Sequence, residues 1–197
     1  MIECLEIEEK DLEQIIDLYE THLNSGEYIS DSINTAFFDE DYIGFKACDD
    51  GKMIGFFTVR EEIGFTYPHP ELEKEIRELA GTRKVYTIDA IFMLEEYRGK
   101  GIAGKLIHLT RERLLEKKAD LVLGELWIYP DGSVPAQAPA SGIGKTIYQK
   151  KVPMFYSRLK EYGIKCPLCG ENCKCGALIE LLEVRGDCNE KEDGNET

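Results

Sequence analysis

The sequence predicts an α/β (α+β) fold with a mixed central sheet flanked by helices and a small Cys-rich metal loop near the C-terminus. Three observations predict it. Segments of period 2 and segments of period 3.6 follow one another along the 197 residues. Hydrophobic residues make up 43%, which is enough to bury a core. A strongly apolar strand leads through a glycine-rich turn into an amphipathic helix.

The elements follow in order. Residues 2–7 alternate as a short strand. From Glu9 to Leu23, Leu12, Ile15, Ile16, Leu18, Tyr19 and Leu23 recur at helical spacing, and Asn24-Ser-Gly26 ends the helix. A short helix is expected over 31–38. Tyr42–Cys48 and Met53–Arg60 read as a hairpin across Asp49-Asp-Gly-Lys52. Residues 61–83 look inserted and carry a charged helix, Pro70 to Leu79. Val85 to Leu94 is an apolar strand, and Ile102–Lys118 is a helix with Leu106, Ile107, Thr110 and Leu114 on one face. Leu121–Tyr129 is a strand in which Gly124 suggests a bulge. Pro130 to Gly144, rich in Pro, Ala, Gly and Ser, reads as an irregular loop, extending to Lys151 without a strand signal. A helix is expected from Pro153 to Gly163, and a last strand over Ala177–Val184. Residues 1–186 read as one domain, and 187–197 as an acidic disordered tail.

The net charge is −14, of which the last eleven residues carry −4. Such a surface repels phosphate backbones and suits an amine, so no nucleic acid partner is expected. No apolar run reaches the roughly 18 residues of a membrane helix, and the N-terminus does not resemble a secretory signal. A soluble cytoplasmic protein with no membrane partner is expected, as a monomer or homodimer.

Arg98-Gly-Lys-Gly-Ile-Ala-Gly104 lies between strand and helix. Glycines let the backbone approach a ligand, and the helix start offers unpaired N–H groups at the positive end of its dipole. Together these make a pyrophosphate cradle. Gly99-Lys-Gly-Ile-Ala-Gly104 also matches the dinucleotide pattern GxGxxG, with Glu125 about twenty residues on. However, Glu95-Glu-Tyr-Arg98 separates the strand from the first glycine, which disfavours that fold. Ser141-Gly-Ile-Gly-Lys-Thr146 ends like a P-loop, but Pro139 stands where its first glycine belongs.

The segment Asp89–Leu106 resembles the acetyl-CoA-binding signature of the GNAT superfamily of N-acetyltransferases. Arg98, Gly101 and Ala103 meet its core pattern, Arg/Gln-x-x-Gly-x-Gly/Ala. The resemblance covers residues 1–163 and the strand 177–184. It implies acetyl-CoA as cosubstrate and direct transfer of an acetyl group to a primary amine in a ternary complex. By the same resemblance, amides of Arg98, Gly99, Lys100, Gly101, Ile102 and Ala103 hold the pyrophosphate. Met93 and Leu94 face the pantetheine arm and thioester at a splayed strand end. Asp89 is the candidate general base, on the expectation that burial among Ile88, Ala90 and Ile91 raises its pKa. A purely structural or solvent-facing acid is the competing reading, and Glu125 is the reserve. Tyr156 is the candidate general acid. The family tyrosine lies four residues before a glycine, whereas Tyr156 lies seven before Gly163, so Tyr148 and Tyr162 stay open. The acceptor amine is not legible. A non-catalytic acyl-CoA-binding or sensor module is the alternative.

Cys166, Cys169, Cys173 and Cys175 form C-x2-C-x3-C-x-C, while Cys4 and Cys48 stand apart. Crowded cysteines in a cytosolic chain argue metal before disulfide. A structural zinc is expected, closed by four thiolates and without an open position for catalysis. An iron–sulfur cluster or free thiols are the alternatives, and Cys188 is a substitute ligand. His22, His69 and His108 are expected to be structural or exposed.

Overall fold

The computed structural model describes residues 1–22, 41–162, 165, 166 and 168–185. The helix expected over 31–38, the stop at 24–26, Gly163, Cys188 and the tail lie outside the described residues. The described elements are β1 (Ile2–Glu6), α1 (Leu12–His22), β2 (Tyr42–Asp49), β3 (Lys52–Arg60), α2 (Pro70–Ala80), β4 (Val85–Met93), α3 (Ile102–Glu116), β5 (Leu121–Ile128), α4 (Gln137–Ala140), β6 (Lys145–Val152) and β7 (Gly176–Glu183). Short 3₁₀ turns cover Glu9–Asp11, Glu95–Tyr97 and Phe155–Tyr162.

The strands form one mixed sheet in the order β1-β2-β3-β4-β5-β7-β6. β4 and β5 are its parallel pair, joined by a crossover through α3. β5 and β7 send alternate side chains to two apolar cores. Val122, Leu126, Leu178 and Leu182 join the core that holds α1 and α3. Leu121, Leu123, Ile179 and Leu181 join a second core with α2, the 159-region 3₁₀ turn and the cysteine cluster. α3 buries Leu106, Ile107, Thr110 and Leu114, the face its periodicity predicts. Each fully buried apolar side chain there contributes roughly 1.5–3 kcal/mol of transfer free energy. Lys46 and Asp11 form a buried ion pair between β2 and the first 3₁₀ turn.

Three expectations are corrected. The stretch 130–151 is not all irregular: it holds α4 and the edge strand β6, which pairs with β7 from Lys145↔Glu183 to Val152↔Ala177. β6 lies on the sheet's outer edge and stays largely exposed on both faces, so Lys-Thr-Ile-Tyr-Gln-Lys-Lys carries no alternation to read. The segment after Pro153 is 3₁₀, not α-helical. Its backbone is tied down early, with Tyr156 N–H donating to Cys175 O at 3.2 Å and Ser157 N–H to Met154 O at 3.1 Å. Gly124 makes no bulge, because β5–β7 pairing runs unbroken through Gly124↔Glu180. The bulge is on β4: Thr58 faces Ala90 and Val59 faces Ile88, so Asp89 is the extra residue.

Candidate functional site

Pairing between β4 and β5 covers only Val85↔Leu121, Tyr86↔Val122 and Thr87↔Leu123. Beyond it β4 stays on β3 and β5 stays on β7, so the two strands part like a V. The bulge at Asp89 sits where they part, and a bulge bends the strand that carries it. Leu94 N–H donates back to Ile54 O at 2.9 Å. Alternation along an extended strand therefore turns the Met93 N–H the other way, toward the opening. Gly55 makes room for this strand end. A Cβ there would lie 2.6 Å from both Met93 Cε and Phe92 O.

The glycine-rich turn closes one end of the V. Arg98 Nε donates to Met93 O at 3.0 Å, and Tyr97 donates to Asp49 at 3.0 Å while Lys100 lies 5.0 Å over its ring. These contacts fix the turn to the β4 end. Gly99 and Gly101 have φ of 72° and 76°, the left-handed region that glycine enters without strain. A Cβ at Gly101 would meet nothing within 4 Å, so its backbone lies open. Arg98 to Gly101 are exposed, and buried Ile102 starts α3 with Gly101 as N-cap. The first-turn amides of Ile102, Ala103 and Gly104 point off this helix end, the arrangement that binds phosphate.

Two carboxylates flank the opening, each two residues beyond the last β4–β5 pair. Asp89 is exposed, not buried as the apolar strand suggested, because the bulge turns it out of the sheet's alternation. It accepts 2.7 Å from the Tyr42 hydroxyl and 3.5 Å from Thr58 Oγ1. Burial and then the Asp89 charge hold the Tyr42 phenol well above its ordinary pKa.

Glu125 on β5 is half-buried and crowded by the second core. Thr66 grips both of its oxygens. The Thr66 N–H donates to Oε2 at 2.8 Å and the Thr66 hydroxyl to Oε1. Crowding raises the Glu125 pKa, with the two Thr66 donors opposing the rise. Tyr156 is fully buried and its ring lies 4.4 Å from Trp127. Among the described residues, its hydroxyl and that of Tyr67 are buried without a hydrogen-bond partner, and both sense the Glu125 charge. Burial pushes Tyr67 up to about 12.

Of the residues expected from sequence, Glu125 and Tyr156 come together, and Asp89 stands across the opening. Tyr148 donates to Glu75 at 2.9 Å on the sheet edge, and Tyr162 stacks on Tyr67 at 5.6 Å. His69 stacks on Phe155 at 4.5 Å, and His108 lies exposed beside Glu112. Thr66, Tyr67 and Tyr42 were not singled out in the sequence, where no motif marks them.

The four expected cysteines converge. Their sulfurs all lie within 4.8 Å of one another, with Cys175 at 3.9 Å from Cys166 and 3.6 Å from Cys169. Thiolates around one tetrahedral zinc stand about 3.8 Å apart, given a bond of about 2.3 Å. The donor set and spacing fit that ion. Paired bonds between Cys166 and Gly170, 3.2 and 2.8 Å, close the turn, and Gly170 takes a φ of 67°.

A family model described as the acetyltransferase (GNAT) family matches residues 6–138. The chain belongs to the GNAT acetyltransferase family. No relative is found among curated proteins. Among solved structures, this GNAT chain is similar to Arabidopsis thaliana NAA60. The NAA60 complex with a bisubstrate analogue shares 18% identity and covers 94% of this chain and 99% of that one, with a TM-score of 0.64. The NAA60 complex with acetyl-CoA shares 17%, covers 94% and 100%, and has a TM-score of 0.66. The Escherichia coli ribosomal-protein-S18-alanine N-acetyltransferase shares 14%, covers 97% and 98%, and has a TM-score of 0.59. At these identities the likeness shows the GNAT fold. Within the described residues, no helix is long and apolar enough to cross a membrane.

Proposed function

We propose that this protein transfers an acetyl group from acetyl-CoA to a primary amine by direct attack, with Glu125 as general base. The observation that carries the reading is the V between β4 and β5, with a phosphate-binding helix start at one end and Glu125 beside its mouth. Solved relatives of the fold hold acetyl-CoA or a bisubstrate analogue, which supports the same cosubstrate here.

The amides from Arg98 to Ala103 hold the pyrophosphate. The Met93 N–H donates to the thioester oxygen and stabilises the charge that develops there. An amine entering between Asp89 and Glu125 loses its proton to Glu125 as it attacks. The new C–N bond forms, the tetrahedral centre collapses, and the C–S bond breaks. The CoA thiolate then takes a proton, for which Tyr156 is the group at hand. Glu125 is preferred over Asp89 because a base works best with a pKa near the working pH, and crowding raises that of Glu125. Asp89, exposed and bonded to Tyr42, is assigned to drawing in the cationic amine.

The cysteine cluster is proposed to hold a structural zinc through Cys166, Cys169, Cys173 and Cys175. The ion supplies crosslinking and no catalytic chemistry. The cluster packs in the second core with Tyr156, whose N–H bonds Cys175 O.

The test is a panel of primary amines with acetyl-CoA, following free CoA and N-acetylated product together. Stoichiometric CoA release and amide formation support transfer. Tight acetyl-CoA binding with no product on any amine, small or peptidic, would leave a CoA-binding module instead.

A further inference from the structure

The β3–α2 connection, residues 61–69, is neither strand nor helix, yet it is anchored at both ends. The Thr87 hydroxyl of β4 donates to Glu62 O at 2.6 Å and accepts from Gly64 N–H at 3.4 Å. At the other end, the buried Tyr67 ring packs 5.2 Å from Phe155 and 5.6 Å from Tyr162. Between these anchors stands Thr66, itself exposed, with its N–H and hydroxyl on the two separate oxygens of Glu125. A carboxylate held at one oxygen can still swing, whereas one held at both has a fixed plane. The lone pairs not used by Thr66 then face a constant direction.

We propose that Thr66 is a positioning residue that orients the Glu125 carboxylate toward the acceptor amine. The proposal rests on Glu125 being the base. Thr66 touches neither the thioester nor the reacting nitrogen, and it acts through Glu125. Two donors on the charged form also oppose the rise that crowding causes. The other groups that bear on Glu125 are the Tyr156 hydroxyl from the 3₁₀ turn and the Tyr67 hydroxyl beside Thr66. The Arg158 guanidinium lies 5.5 Å over the Tyr67 ring. β4 contributes Asp89 across the opening, and β7 sets uncharged Ile179 opposite.

The test uses the full chain with acetyl-CoA and whichever amine turns over, comparing wild type with Thr66→Val, Thr66→Ser and Glu125→Gln. Thr66→Val keeps shape and the backbone N–H and removes the hydroxyl. Its position is exposed, so folding is expected to be retained. In Thr66→Val, kcat should fall about tenfold with acetyl-CoA affinity unchanged. The acidic limb of kcat/KM should move up by about one pH unit, which corresponds to roughly 1.4 kcal/mol. Thr66→Ser should restore both the rate and the limb. A Thr66→Val limb and kcat equal to wild type would overturn the proposal. So would a loss that Thr66→Ser fails to rescue, because that is the mark of packing. If Glu125→Gln itself keeps wild-type rate and pH profile, the base assignment falls instead, and the two failures are told apart.

Discussion

The end of the V proposed for the cofactor and the end proposed for the acceptor are built in opposite ways. The turn proposed to bind phosphate is seven consecutive residues, Arg98 to Gly104, whose conformation comes from two positive-φ glycines and a helix start. The end proposed for the acceptor is assembled from Thr66 and Tyr67 in a loop, Asp89 on β4, Glu125 on β5 and Tyr156 in a 3₁₀ turn, with the cysteine cluster packed behind it. Binding chemistry that uses backbone amides can be written locally in a sequence. Proton-transfer chemistry needs side chains brought from distant segments.

Breaking each end separately sharpens the contrast. Glu125→Gln should give the largest effect, lowering kcat roughly 10²–10⁴-fold while acetyl-CoA affinity holds. A Glu125→Gln enzyme within threefold of wild type would remove Glu125 from the chemistry. Next is metal removal. Stripping zinc from the loaded protein should destabilise it by at least about 3 kcal/mol, lowering Tm by on the order of 10 °C. Calorimetry with and without chelator, beside metal analysis, reads this out. A metal-free protein with unchanged Tm would contradict the crosslink.

Gly101→Ala strikes the cofactor end. Avoiding roughly 1–2 kcal/mol of left-handed strain should tilt the turn and raise the acetyl-CoA Kd about tenfold, with kcat at saturation little changed. An equal loss in kcat would mean the two ends are not separable. The smallest effect is expected from Asp89→Asn, which still accepts from Tyr42: kcat within about threefold, and a raised KM for the amine that is stronger at low salt. A hundredfold loss of kcat would return the base to Asp89. For wild type, Glu125 must be deprotonated to act, so kcat/KM should be lost as pH falls through a pKa above the ordinary carboxylate range of about 4.3.

The same contrast explains what was legible in the sequence. α3, the β2–β3 hairpin and the glycine turn follow from local periodicity and turn chemistry, and they stand where expected. The cysteine spacing was legible because four thiols lie within ten residues. β6 was not, since an edge strand polar on both faces has no period. Asp89 looked buried because its neighbours are apolar, but a bulge overrides alternation and no residue in Ile88-Asp-Ala-Ile91 announces one. Thr66 was hidden because its partner lies 59 residues away.

The most direct measurement is single-turnover acetyl transfer beside acetyl-CoA calorimetry, for wild type and Glu125→Gln. The account predicts equal affinity and a transfer rate at least about a hundredfold lower in the variant. A fall in affinity that accounts for the whole loss of rate, or no loss of rate, would contradict it.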